Sequence, residues 1–278
     1  MTALIDVLFQ IEKQLGLELD SLLPLAELDA IGGFHPDPAQ RQWGMGAIFG
    51  VEGQTLYALI RALKPETVVE IGSGTGCSAT HIALALKANG RGHLTTVDRG
   101  NTPQIPADLL DYVTIQAGDG INYLALLPDN SVDFILEDAD HTADMCHAIG
   151  ELVKTKLKPG GVLLVHDIAH WAVGADIRRG YDLAGMEVRR YLIEPSDCGW
   201  GVWQRPKSAN IPKLDNQTTA KWNEDGAVEL TAFGTINTLE FEPLKADARP
   251  LIDFTVLQGQ EEPNATPGKR TRKPKAAK

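Results

Sequence analysis

Three residue classes are scarce in this chain, and each scarcity excludes something. Only three cysteines, Cys77, Cys146 and Cys198, occur in 278 residues. They are too few and too scattered for a disulfide framework or a cysteine-built zinc cluster, and their expected state is the reduced thiol of a cytosolic protein. Long apolar runs are missing, so no segment reaches membrane-spanning length. The N-terminus lacks a basic stretch ahead of its apolar residues. Leu4, Ile5, Leu8, Phe9, Ile11 and Leu15 follow helical spacing instead, so no targeting leader is expected and the cytoplasm is the expected location. Positive charge is also short. The formal net charge is -11, although residues 268–278 carry six basic and no acidic side chains. The rest of the chain is therefore more acidic still, and a general nucleic-acid-binding surface is not expected; the basic tail is the exception.

What remains is an ordinary globular composition, 43% apolar and 23% charged, long enough for one sizeable α/β domain with an appendage. Residues 1–65 read as a helical N-terminal segment, with helices over about 3–15 and 52–63 around a Gly/Pro/His stretch at 31–38. From Thr67 short apolar runs alternate with helical segments. The runs are 67–71, 93–97, 113–117, 132–136 and 161–166; the helices are 77–88, 120–127 and 142–157. Such alternation predicts a doubly wound, mostly parallel sheet with helices on both faces. A further helix at about 171–183 and two extended runs, 187–193 and 199–204, predict an antiparallel hairpin at the sheet edge. The predicted domains are the N-terminal segment 1–65, a core 66–206, a small β-rich appendage 207–258 and a disordered basic tail 259–278.

The first strand runs Val68-Val69-Glu70-Ile71 into Gly72-Ser73-Gly74-Thr75-Gly76. Glycines after a strand let the backbone turn tightly and approach a ligand, and the helix that follows offers free N–H groups. The spacing is G-x-G-x-G, which differs from the dinucleotide form. Glu70 lies two residues before the first glycine, where it would repel a pyrophosphate and suit a cationic ligand. Strand two ends at Asp98, placed for a bidentate grip on a ribose diol. Strand three ends Gly118-Asp119-Gly120, placing Asp119 near an adenine amino group. Each aspartate alone is more often a helix cap than a ligand; their order after the glycine loop reverses that balance in favour of ligands.

Glu70 through Gly76, Asp98, Asp119 and the turn Leu157-Lys158-Pro159-Gly160-Gly161 together resemble the motif series of class I methyltransferases. The resemblance covers about residues 53–204. It implies a Rossmann-like sheet of seven strands and S-adenosylmethionine as cofactor, held by Glu70, Gly72, Ser73, Gly74, Asp98, Asp119, Gly120 and Asp138. It says nothing about residues 209–278.

Strand four ends Glu137-Asp138-Ala139-Asp140-His141 and strand five ends His166-Asp167. In a doubly wound sheet both ends open onto the crevice of the glycine loop. These residues form a hard-donor set suited to Mg²⁺. Here the sequence resembles the metal-dependent O-methyltransferases of the catechol, caffeoyl-coenzyme A and macrolide-sugar types. That resemblance implies His141 as the catalytic base, with Asp138, His166 and Asp167 as metal ligands. His166 is a departure, because relatives have Asp or Glu there. The implied reaction is O-methylation of a small hydroxylated acceptor. Trp171, Tyr181, Trp200 and Trp203 are candidate acceptor-pocket walls, and Trp43, Met45 and Phe49 a candidate lid. Two other readings stand beside this one: metal-independent nitrogen or oxygen methylation, and a non-catalytic cofactor-binding accessory protein. A homo-oligomer is compatible with all of them.

Overall fold

The computed structural model describes residues 2–17, 28, 48, 50–193, 196–207, 219–222 and 228–231. The chain divides into two compact units, 1–209 and 210–278. In the first unit, helices α1 (Thr2–Leu15) and α2 (Gly50–Leu63) precede the sheet. Strands β1 (Thr67–Ile71), β2 (His93–Asp98), β3 (Val113–Ala117), β4 (Val132–Glu137) and β5 (Leu157–Val165) then alternate with helices α3 (Cys77–Asn89), α4 (Gly120–Leu126) and α5 (Ala143–Lys156). Helix α6 (Gly174–Leu183) leads to β6 (Arg189–Tyr191) and β7 (Trp200–Gln204). The seven strands lie in the order β3-β2-β1-β4-β5-β7-β6. Neighbours from β3 through β5 are parallel, while β7 runs antiparallel to both β5 and β6. The expected doubly wound sheet with an edge hairpin is what forms. In the second unit, β8 (Thr219–Trp222) and β9 (Val228–Thr231) pair antiparallel.

Strand alternation sorts the core into two layers. Val68, Phe134, Leu136, Val162, Leu164 and Val202 face α1, α2 and α3. Their neighbours Val69, Ile71, Ile135, Leu163 and Val165 face α5 and α6. The central strands β1, β4 and β5 are covered on both sides, which is why these segments read as nearly unbroken apolar runs, whereas the edge strand β3 is exposed beyond Val113.

Two boundaries differ from the sequence reading. Strand β5 starts at Leu157, four residues before the expected 161. Leu157 is fully buried and pairs with Val132, and a register shift between Val132 and Phe134 absorbs the glycines that follow. Helix α6 starts at Gly174, three residues later than expected, after a turn at 171–173. The strand ends that matter most are placed by close backbone approach. Gly72 has φ 94°, and a Cβ there would sit 1.9 Å from the carbonyl oxygen of Asp138. Glycine at this position lets the exits of β1 and β4 meet.

Candidate active site

At the carboxyl ends of β1, β4 and β5 a cavity of about 360 Å³ opens, in the range of small-molecule sites. One wall is the glycine loop, Gly72-Ser73-Gly74, with Cys77 and Ser78 at the start of α3. The opposite wall is Asp138, Ala139, His141, His166, Asp167 and His170, joined by Ile48 and Cys198.

The carboxylates of the nucleotide-side strands are engaged by the protein itself. Glu70 is fully buried and accepts hydrogen bonds from the Ser78 and Thr96 hydroxyls. Burial pushes its carboxyl up to about 7, against those two donors. The expected direct contact of Glu70 with a cationic ligand is therefore corrected. The side chain lies beneath the cavity and reaches it through Ser78. Asp98 Oδ2 accepts from the backbone of Ser73 (3.0 Å) and Gly74 (3.1 Å), and Oδ1 from Gly100 (2.9 Å) and Asn101 (2.8 Å). Burial opposes its charge, but these N–H donors prevail and hold the carboxyl below its ordinary value. Asp98 thus pins the glycine loop to the end of β2 and does not line the cavity. Asp119 caps α4 by accepting from Asn122 N (2.9 Å), and its other oxygen pairs with Arg99. Gly120 packs on the neighbouring strand; a Cβ there would sit 2.2 Å from the Ile71 side chain. Asp119 and Gly120 are likewise outside the cavity wall.

The opposite wall is arranged differently. Its carboxylates contact imidazoles on the same wall. His141 Nε2 lies 3.1 Å from Asp167 Oδ2 and 3.9 Å from Asp138 Oδ1. Burial disfavours a charged His141, yet the Asp167 hydrogen bond and nearby Glu137 raise its pKa. Burial likewise works against ionised Asp167, but His141 and His166 together hold its carboxyl well below the usual range. Asp167 also adopts φ 55°, a left-handed backbone for a residue with a side chain, so the exit of β5 stores strain where it presents this group. Thr142 caps α5 by accepting from Met145 N, which fixes the turn carrying His141. Glu137 points away from the cavity, as strand alternation requires. It is buried, accepts from the Tyr181 hydroxyl (3.2 Å), and is raised to about 7 by burial.

The expected metal set regroups. Donor atoms of Asp138, His141 and Asp167 lie within 4.8 Å of one another. Two carboxylates and an imidazole at that spacing fit a divalent ion. His166 stands between two donor groups. Its Nδ1 sits 3.2 Å from Asp138 Oδ1 and 3.6 Å from Asp167 Oδ1, while Nε2 faces Glu52 Oε2 at 3.2 Å. By donor spacing it also groups with Glu52 and Cys198. Glu52 was missed in the sequence, because a carboxylate within an amphipathic helix carries no motif.

Of the expected aromatic walls, Tyr181 and Trp200 are fully buried; Trp200 packs against the His166 ring with centroids 4.8 Å apart. Trp203 is partly buried against the α5–α6 layer. Trp171 is 84% exposed, next to the cavity residue His170. Trp43, Met45, Phe49 and the basic tail lie outside the described residues. No helix among the described residues is long and apolar enough to cross a membrane.

Comparison with known proteins points to methyltransferases. Residues 69–168 match the family model described as a methyltransferase domain. A putative O-methyltransferase of Mycobacterium sp. (strain JLS) is 31% identical over 137 residues, 45% of this chain and 59% of that protein. A putative O-methyltransferase of Mycolicibacterium vanbaalenii is 30% identical over 134 residues, 45% of this chain and 58% of that protein. The chain thus spans about three fifths of the length of the curated relatives it matches. The crystal structure of an O-methyltransferase from Bacillus cereus in complex with SAH superposes with a TM-score of 0.50 at 19% identity. It covers 67% of this chain and 94% of that one, and shares the fold. The methyltransferase resemblance read from the sequence is matched over residues 69–168.

Proposed function

We propose that this chain, which carries a methyltransferase domain at residues 69–168, moves a methyl group from S-adenosylmethionine to an oxygen of a small hydroxylated acceptor. The observation that carries the reading is one cavity with a glycine loop on one wall and Asp138, His141 and Asp167 on the other. The acidic wall suits a cofactor bearing a sulfonium and an ammonium, and the glycine loop admits close backbone approach. S-adenosylmethionine supplies an activated methyl group on a positive sulfur.

Methyl transfer is an in-line displacement, so the chain's first task is alignment. The rigid exits of β1, β4 and β5 serve that task. The second task is to raise the nucleophilicity of a hydroxyl. With Nε2 turned to Asp167 at 3.1 Å, which orients the ring and stabilises an imidazolium, His141 would take the acceptor's proton at Nδ1, a buried nitrogen with no hydrogen-bond partner of its own. The raised pKa of His141 makes it a stronger base than a free imidazole. A divalent ion bound by Asp138 and Asp167 would supply Lewis acidity to the same oxygen. His141 would then stand either as base or as third ligand.

The test is transfer of labelled methyl to a panel of hydroxylated small molecules, by the wild type and by His141→Ala, each with Mg²⁺ and with EDTA. The reading expects turnover by the wild type and little by His141→Ala. Loss of turnover with EDTA, restored by Mg²⁺, supports the metal-assisted form; equal turnover in both buffers supports His141 acting alone. Unimpaired turnover by His141→Ala overturns its role as base.

A further inference from the structure

Behind the Asp138–His141–Asp167 cluster lies a second group of donors that methyl transfer does not use. Glu52 on α2 is fully buried, His166 at the end of β5 is 5% exposed, and Cys198 lies just before β7. One carboxylate oxygen, one ring nitrogen and the thiol sulfur lie within 4.8 Å of one another. The elements come from distant parts of the sequence, and three interactions bracket them together. The Ser196 hydroxyl donates to Glu52 Oε1 (2.6 Å) and accepts from the backbone N–H of Cys198 (3.1 Å). The Cys198 carbonyl accepts from Ala169 N (2.8 Å), just past β5.

His166 is set up as a ligand nitrogen. Its Nδ1 faces Asp138 Oδ1 at 3.2 Å as a hydrogen-bond partner. With the ring proton on Nδ1 toward Asp138, the Nε2 lone pair is left for a ligand, the carboxylate–histidine–metal arrangement that fixes an imidazole for coordination. Nε2 is buried and faces Glu52 Oε2 at 3.2 Å. Against burial, Asp138 and Glu52 raise the ring's pKa well above its ordinary value, so an ion would take the place of a proton on Nε2. Two atoms each 2.0–2.2 Å from a shared tetrahedral ion stand about 3.3–3.5 Å apart, so this spacing suits a pair of ligands as well as an ion pair.

We propose that Glu52, His166 and Cys198 form a three-ligand site for a thiophilic divalent ion of the Zn²⁺ type, opening onto the cavity. One carboxylate, one imidazole and one thiolate, with a fourth position left free, is a donor set that selects zinc over magnesium. Because His166 and Cys198 both line the cavity, the free position is accessible to a bound small molecule. A single thiolate contributed from a distant loop produces no cysteine spacing, which is why the sequence reading excluded a cysteine-built cluster without detecting this site. The site does not depend on the methyl-transfer reading, since its ligands can bind an ion whatever the cavity does.

The test is titration of the metal-stripped full chain with Co²⁺ and with Zn²⁺, using the wild type, Cys198→Ser and Asp167→Asn. The site predicts one Co²⁺ per chain with a near-ultraviolet thiolate-to-cobalt charge-transfer band, displaced by Zn²⁺, and a melting temperature that rises with Zn²⁺. Cys198→Ser, a near-isosteric change at a partly exposed position, should abolish the band. It should weaken binding at least as much as loss of an outer-shell partner does, by about 100-fold or more. Asp167→Asn should keep the band. No ion binding by the wild type overturns the proposal. So does binding without the band that survives Cys198→Ser and disappears in Asp167→Asn, since the ion would then sit in the neighbouring carboxylate cluster. S-adenosylhomocysteine titration of the same samples reports separately on the methyltransferase reading.

Discussion

The β1–β2–β3 side, behind the glycine-loop wall, and the β4–β5 wall of the cavity carry the same residue types near strand ends, yet they use them in opposite ways. On the β1–β2–β3 side, Glu70, Asp98 and Asp119 each accept hydrogen bonds from the protein: hydroxyls for Glu70, loop N–H groups for Asp98, a helix N-terminus and Arg99 for Asp119. On the β4–β5 side, Asp138 and Asp167 pair directly with His141 and His166. A carboxylate surrounded by backbone and hydroxyl donors shapes the backbone. A carboxylate paired with a titratable ring in a cavity wall is available for chemistry. Substitutions on the first wall should therefore cost stability, and those on the second should cost turnover.

The largest expected effect tests the second wall. His141→Ala should lower turnover by about 10²–10⁴-fold, the range for loss of a general base, with S-adenosylhomocysteine affinity and melting temperature nearly unchanged. Measured turnover, binding and melting on one preparation would reveal a different balance.

Next comes the buried carboxylate of the first wall. Burial raises Glu70 from 4.5 to about 7, so between those values the folded chain holds a proton that the unfolded chain has released. Stability then falls as pH rises through this window, by about 3 kcal/mol for this group. Glu137, raised for the same reason, adds in the same direction. Raised His141 contributes stability below its unfolded pKa that is lost as pH climbs through its folded one. Asp167 has the opposite sign: its contribution is present above its ordinary value of 3.8 and is lost as pH falls towards its depressed one. Denaturant unfolding from pH 4.5 to 7 should show a decline for the wild type and a flatter profile for Glu70→Gln. An unchanged profile would mean Glu70 is ionised throughout.

Asp98→Ala removes the acceptor for four backbone N–H groups and should cost about 2 kcal/mol of unfolding free energy. Cofactor affinity should fall with it, because the glycine loop loses its anchor. Affinity lost at full stability would instead make Asp98 a direct ligand, dissolving the contrast between the walls. The smallest effect belongs to Asp119→Ala. Loss of the α4 cap should cost about 1 kcal/mol, with cofactor affinity unchanged by calorimetry.

The contrast also marks what was legible in the sequence. The parallel sheet was, because its central strands are buried on both faces and read as short apolar runs; β1 and β3 end where expected. The gathering of Asp138, His141 and Asp167 was legible too, because doubly wound topology brings the exits of β4 and β5 together. What each carboxylate touches was not. Asp98 and Asp119 looked equivalent, but their partners, the N–H groups of Ser73 and Gly74 and the side chain of Arg99, are fixed by three-dimensional approach. Glu52 was invisible for the same reason: it meets His166 only because α2 packs behind the end of β5. The early start of β5 was hidden by Pro159 and two glycines, which read as a turn, whereas the buried pairing of Leu157 with Val132 extends the strand through them.

The most direct test of the central claim is a calorimetric titration of the purified chain with S-adenosylhomocysteine. One-to-one saturable binding, retained in His141→Ala and accompanied by a rise in melting temperature, is the predicted result. No heat and no thermal shift at saturating ligand would contradict it, leaving a methyltransferase fold that does not hold the cofactor.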